Sequence, residues 1–168
     1  MTPEDTRRAV RTENLSKIYQ QEAEEVQAVR DVSLTIQPGE FAALAGPSGS
    51  GKTTLLNVIG GLTRPTHGQV WVGDQELSEL PNRALARLRL DQVGFVFQAY
   101  NLLPVLTARE NAEFPMLLQG VSVAERTSRV DALFARTGMT GLEDRRPGKL
   151  SGGQQQRVAV VRAVASRP

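Results

Sequence analysis

The chain has 168 residues, 40% apolar and 23% charged, with 20 Lys and Arg against 18 Asp and Glu. That is the profile of one soluble globular domain with a real core, and a net charge of +2 makes no electrostatic case for nucleic acid as a partner. There is no cysteine, which excludes disulfide and thiol chemistry, and no run nears the roughly 20 apolar residues of a membrane span. The charged N-terminus lacks the apolar stretch of a secretory signal, so the expected compartment is the cytoplasm.

In chain order, residues 1–12 read as a polar tail ahead of a domain over 13–168. Residues 15–19 and 26–36 predict strands, the second alternating at Val32, Leu34 and Ile36 before the Pro38-Gly39 turn. The acidic stretch 20–25 between them reads as a loop. A short apolar strand is expected over 41–45, running into a glycine-rich loop, and a helix over 52–59 closed by Gly60 and Gly61. A turn over 64–68 holds the one histidine, His67, read as an exposed turn residue, and Val70-Trp71-Val72 reads as a strand. Residues 82–90 predict a helix with Leu85 and Leu88 on one side. A buried strand is expected over 93–97, ending at Gln98. Thr107 with Glu110, Ser122 with Glu125 and Ser151 with Gln154 each fit a capping box, in which side chains satisfy the first free N–H groups of a helix. The second of these helices carries Val130, Leu133 and Phe134 and stops at Gly138; the third runs through Ala165.

The glycine-rich loop is Gly46-Pro47-Ser48-Gly49-Ser50-Gly51-Lys52-Thr53, which fits G-x-x-x-x-G-K-[ST]. A triphosphate concentrates negative charge, and binding it calls for backbone N–H donors that can approach closely. Glycines remove side-chain obstruction and allow positive φ. A strand before and a helix after aim the helix N-terminus at the phosphates. Lys52 then supplies a point charge for the β and γ phosphates, and Thr53 a hydroxyl for Mg²⁺.

A second glycine motif, Leu150-Ser151-Gly152-Gly153-Gln154, puts two glycines in the first turn of a helix capped by Ser151; standing alone it reads as a plain N-cap with a flexible first turn, and with its hydroxyl and N–H groups exposed it can also serve as an anion site. With both motifs in this order, the chain resembles the nucleotide-binding domain of an ABC (ATP-binding cassette) transporter from about residue 14 to 168. Residues 150–154 match that family's signature, continued by Gln155-Gln156-Arg157, and the first glycine motif its Walker A. Gln98 matches the Q-loop glutamine, and Tyr19 the aromatic that stacks on adenine. Gly60-Gly61-Leu62, Gly94-Phe95-Val96-Phe97-Gln98, Asn101-Leu102-Leu103-Pro104 and the run from Leu106 to Asn111 resemble the lipoprotein-release and macrolide-export ATPases, and the loop after Tyr19 agrees. Cell-division ABC ATPases are near neighbours.

The resemblance implies an α/β fold: a P-loop NTPase core, an N-terminal antiparallel β subdomain and an inserted helical subdomain over about 100–148, with the signature helix following. It implies ATP and Mg²⁺, with ATP contacts from Tyr19, Gly46, Pro47, Ser48, Gly49, Ser50, Gly51, Lys52, Thr53, Thr54 and Gln98, and Mg²⁺ contacts from Thr53 and Gln98. The partners implied are a second nucleotide-binding domain, whose nucleotide would meet residues 150–154, and integral membrane permease subunits. The chain would then work in the cytoplasm, peripheral at the inner face of the cell membrane through the permease. In the family an aspartate and an adjacent glutamate follow the signature by about 20 residues and complete the hydrolytic site. They are expected past residue 168, together with C-terminal strands of the core; neither Asp74 nor Glu143-Asp144 follows a suitable apolar strand, and His67 lies too early to be the switch histidine. The alternatives are a nucleotide-binding module that binds ATP without hydrolysing it, and a cell-division-type ATPase.

Overall fold

A computed structural model describes residues 9–21 and 24–168. β1 (Val10–Gln21) pairs antiparallel with β2 (Glu24–Ile36) on one side and β3 (His67–Val72) on the other, and β4 (Gln75–Glu76) joins β3, giving the order β2-β1-β3-β4. Two expectations change here. Residues 10–12 belong to β1 rather than to a polar tail, since Val10 pairs with both Ile36 and Val72; residues 1–8 lie outside the described part. The loop expected over 20–25 is mostly ladder, with Gln20 opposite Glu25 and Gln21 opposite Glu24, and residues 22–23 outside the described part. Ladder bonds are made by the backbone, so polar residues at an exposed hairpin end pair as well as apolar ones. The Gln20 amide also donates to Glu25 Oε1 at 2.7 Å.

β1 is irregular, with register shifts between Thr12 and Leu15 and again up to Ile18. The buried Thr12 hydroxyl donates to Val32 O (2.9 Å) and accepts from Leu34 N (3.1 Å), which satisfies backbone groups that the bulge takes out of the regular ladder. α1 (Lys52–Ile59) matches its predicted range and packs on the sheet, burying Leu55 and Val58 where Leu15, Val29 and Val70 are also buried. Sequestering five such side chains stabilises this unit by about 1.5–3 kcal/mol each, before chain entropy is charged against it.

Residues 41–45 and 93–97, both expected as strands, belong to no strand. A strand is not a local structure; it exists only where another strand accepts its N–H and C=O groups, and no described segment pairs with either. Phe41 is accordingly 96% exposed.

α2 (Asn82–Gln92) leads from this first unit, which runs to Leu85, into a second that begins at Ala86. The second unit consists of α3 (Ala108–Leu118), α4 (Val123–Thr137), a single 3₁₀ turn (Pro147–Lys149) and α5 (Gly152–Ala165). All three predicted N-caps form, two of them as full capping boxes. Thr107 and Ser151 make reciprocal capping boxes, and Ser122 accepts from Glu125 N while Gly138 closes α4 in the left-handed conformation. Ala108, Ala112 and Met116 fall on one stripe of α3 and pack with Val130, Phe134, Met139, Leu150, Val158 and Val161. Fully buried Asn111 accepts from Leu103 N (2.7 Å) and donates to the carbonyls of Leu103, Leu106 and Thr107. It ties the loop before α3 onto the helix.

Candidate functional site

The loop 46–51 ends in Gly51, the N-cap of α1, and no side chain caps the helix. Its first N–H groups are therefore left for something other than a side chain. Gly49 has φ 79° and Gly51 φ 83°, values that a side chain strains. At Gly51 a Cβ would also strike the Ala28 carbonyl oxygen, because the loop is pressed against β2 there. Lys52 folds back into the loop: its Nζ donates to Gly46 O (2.9 Å), Pro47 O (2.6 Å) and Ser50 Oγ (3.1 Å). All three ammonium hydrogens thus have acceptors within the loop, and the charge sits at its centre. Between this loop and β2 lies an open cleft of about 420 Å³, lined by residues that include Ala28, Val29, Gly46, Ser50, Gly51 and Lys52. Thr53 and Thr54 occupy the first turn of α1 beside Lys52, Thr53 exposed.

Tyr19 lies on β1 opposite Val26 of β2, half-buried, with Lys17 Nζ 5.0 Å from its ring centroid. It belongs to the same unit as the loop but does not line the cleft. His67 is exposed at the start of β3.

In the second unit Gln98 is exposed in a tight turn where Tyr100 N donates to Phe97 O (3.0 Å). The Phe95 and Phe97 rings stack just before it at 5.6 Å. Residues 150–154 open α5. Leu150 is buried in the helical core, whereas Ser151, Gly152 and Gly153 are exposed. Ser151 Oγ accepts from Gln154 N (3.3 Å), and Gln154 Oε1 accepts from Ser151 N (2.8 Å). As an acceptor the hydroxyl still has its own hydrogen to donate. A Cβ added at Gly152 or Gly153 would meet nothing within 4 Å, and neither residue has a positive φ.

Two features escaped the sequence reading. Asn111 looks like any polar helix residue, yet it is the buried hub of the loop before α3. Arg162, on α5, donates to the carbonyls of Tyr100 (2.7 Å) and Asn101 (2.6 Å), and burial draws its guanidinium below its ordinary pKa. An arginine in the apolar run of α5 was the available signal for it.

A glycine loop that opens an uncapped helix and wraps a lysine ammonium is the phosphate-binding arrangement of P-loop proteins. Residues 29–168 match the ABC transporter family, and the chain belongs to it. An ABC transporter ATP-binding protein of Thermotoga maritima is 49% identical over 90% of this chain, which spans 65% of that relative's length. The lipoprotein-releasing system ATP-binding protein LolD of Hahella chejuensis is 40% identical over 95% of the chain, here 69% of its length. The macrolide export ATP-binding/permease protein MacB of Marinobacter nauticus is 49% identical over 83% of the chain, which spans 22% of it. The fold is that of the Methanocaldococcus jannaschii cassette MJ0796, solved as a dimer in a post-hydrolysis state with ADP and Pi: TM-score 0.89 and 41% identity over 95% of this chain and 70% of that one.

Proposed function

We propose that this chain is the ATP-binding part of an ABC transporter of the lipoprotein-release or macrolide-export type, and that it shares each ATP with a second nucleotide-binding domain. The loop 46–53 of one protomer would cradle the phosphates, with Lys52 exchanging acceptors within its loop for phosphate oxygens. Tyr19 would stack on the base. Ser151 and the first N–H groups of α5 would face the same nucleotide from the partner. The observation that carries this reading is the contrast between glycines. Gly51 is required by the chain's own packing and backbone, whereas Gly152 and Gly153 are required by neither. Room kept at an exposed helix start beside a serine hydroxyl suits an anion that arrives from outside the chain.

Oxygen donors suit Mg²⁺, and the exposed Thr53 hydroxyl beside Lys52 is such a donor, as is the Gln98 side-chain carbonyl. Bound with the nucleotide, the ion would neutralise charge on the phosphate oxygens, with the Thr53 hydroxyl as its donor from the loop. Closure of two such domains on ATP would move permease subunits, with the chain at the inner face of the cell membrane through them. No described helix is long and apolar enough to cross a membrane. Loop 46–53 is read as the grip on the ATP phosphates; hydrolysis of the bound nucleotide calls in addition for a carboxylate on the ion and a group that orients the attacking water.

Titration of the chain with a fluorescent ATP analogue in Mg²⁺ tests the phosphate site. Loss of the charge-assisted bonds in Lys52→Ala is expected to weaken binding about ten- to a hundredfold. Equal affinity of the two proteins contradicts the reading.

A further inference from the structure

Arg162 stands out because it joins the segment around Gln98 to the helix that begins at Ser151. Tyr100 (φ 59°) and Asn101 (φ 47°) are consecutive non-glycine residues in the left-handed conformation. That conformation persists only where the surroundings impose it. Two successive residues of one helical hand turn their carbonyls the same way, and here both oxygens converge on one guanidinium, Nη2 to Tyr100 O (2.7 Å) and Nη1 to Asn101 O (2.6 Å). A planar fork can serve two such acceptors at once; an ammonium on a flexible stem cannot hold the same geometry. Arg162 is half-buried, so these bonds form partly out of water, where they are stronger. On the other side of Gln98, a Cβ at Gly94 would strike the carbonyl oxygen of Ala163, so the chain is also pressed onto α5 there.

The geometry points to Arg162 as a positioning residue that latches the strained turn after Gln98 onto the signature helix, so that Gln98 and Ser151 move as one body. Gly94 supplies the second point of attachment. Resting on the proposed roles of Gln98 and Ser151, the latch would make any displacement of Gln98 reach the helix start that faces the partner's nucleotide. The need for arginine at this place would then be a need for its fork, not for positive charge alone.

The test is residue-resolved amide hydrogen exchange on the full chain. The probes are Tyr100 and Asn101, whose N–H groups donate to Phe97 O (3.0 Å) and Ala99 O (2.6 Å), with Val158 in the core of α5 as the reference. Arg162→Ala is expected to speed exchange at Tyr100 and Asn101 about ten- to a hundredfold and to leave Val158 within about twofold. Arg162→Lys, which keeps the charge and one bond, is expected to fall between the two and serves where the alanine variant folds poorly. Asn101→Gly added to Arg162→Ala relieves the strained residue and is expected to restore part of the protection, which a general loss of packing would not allow. Equal acceleration at Val158, no acceleration at the turn, or a lysine variant that matches arginine each overturns the latch. Gln98→Ala with unchanged ATP affinity would remove the nucleotide role of Gln98 and leave the exchange result standing, so the two ideas fail separately.

Discussion

Gly51→Ala and Gly152→Ala are expected to move stability in opposite directions. Gly51 has φ 83°, and a Cβ there would collide with Ala28 O and lie 3.6 Å from Val29 Cγ2. Forcing alanine into the left-handed region costs about 1–2 kcal/mol. Separating the loop from β2 to admit the methyl group adds about 1–3 kcal/mol. A loss of about 2–5 kcal/mol is a large part of the 5–15 kcal/mol typical of a domain. At about 2–4 °C per kcal/mol for a chain of this size, Tm should fall by about 4–20 °C. Gly152 has no positive φ and open space around it. Alanine in the first turn of α5 should gain about 0.5–1 kcal/mol of helix propensity and raise Tm by about 1–4 °C. Thermal unfolding followed by circular dichroism, without nucleotide, measures both. A Gly152→Ala variant destabilised as much as Gly51→Ala would refute the reasoning, because the space at residue 152 would then serve the chain's own fold.

Tyr19→Ala should weaken ATP binding by about two- to tenfold through lost stacking and Tyr19→Phe should leave it nearly unchanged, both read by fluorescence titration. Asn111→Ala should destabilise the chain by about 1–3 kcal/mol in a urea titration, because Leu103 N and three carbonyls lose their buried partner.

What was legible in the sequence was local. The capping residues Thr107, Ser122 and Ser151 satisfy N–H groups within three residues of themselves, so their helices begin where the motifs put them. α1 was bounded locally too, but by glycine backbone rather than by a capping side chain, with Gly51 in the left-handed conformation before it and Gly60 after it. Residues 41–45 and 93–97 were misread because strand character depends on a partner segment, which composition cannot supply. The polar ends of the β1–β2 hairpin were misread in the other direction, since backbone pairing carries them without apolar side chains. Of the candidate site, the loop 46–53 and the helix start at 151–154 were visible because their chemistry is in residue type and spacing. The bonds of Arg162 to residues 100 and 101 were not visible, because they depend on how α5 packs.

Sharing of one ATP between two chains is tested most directly by mixing Lys52→Ala with Gly152→Ala and following ATP-driven association by sedimentation velocity. Each variant alone should remain monomeric with ATP, one lacking the phosphate grip and the other the room at the signature. The mixture should form a dimer, because one partner supplies an intact loop and the other an intact signature helix. A mixture that stays monomeric while the unmutated chain dimerises with ATP would contradict the shared site, as would Gly152→Ala that dimerises alone as well as the unmutated chain.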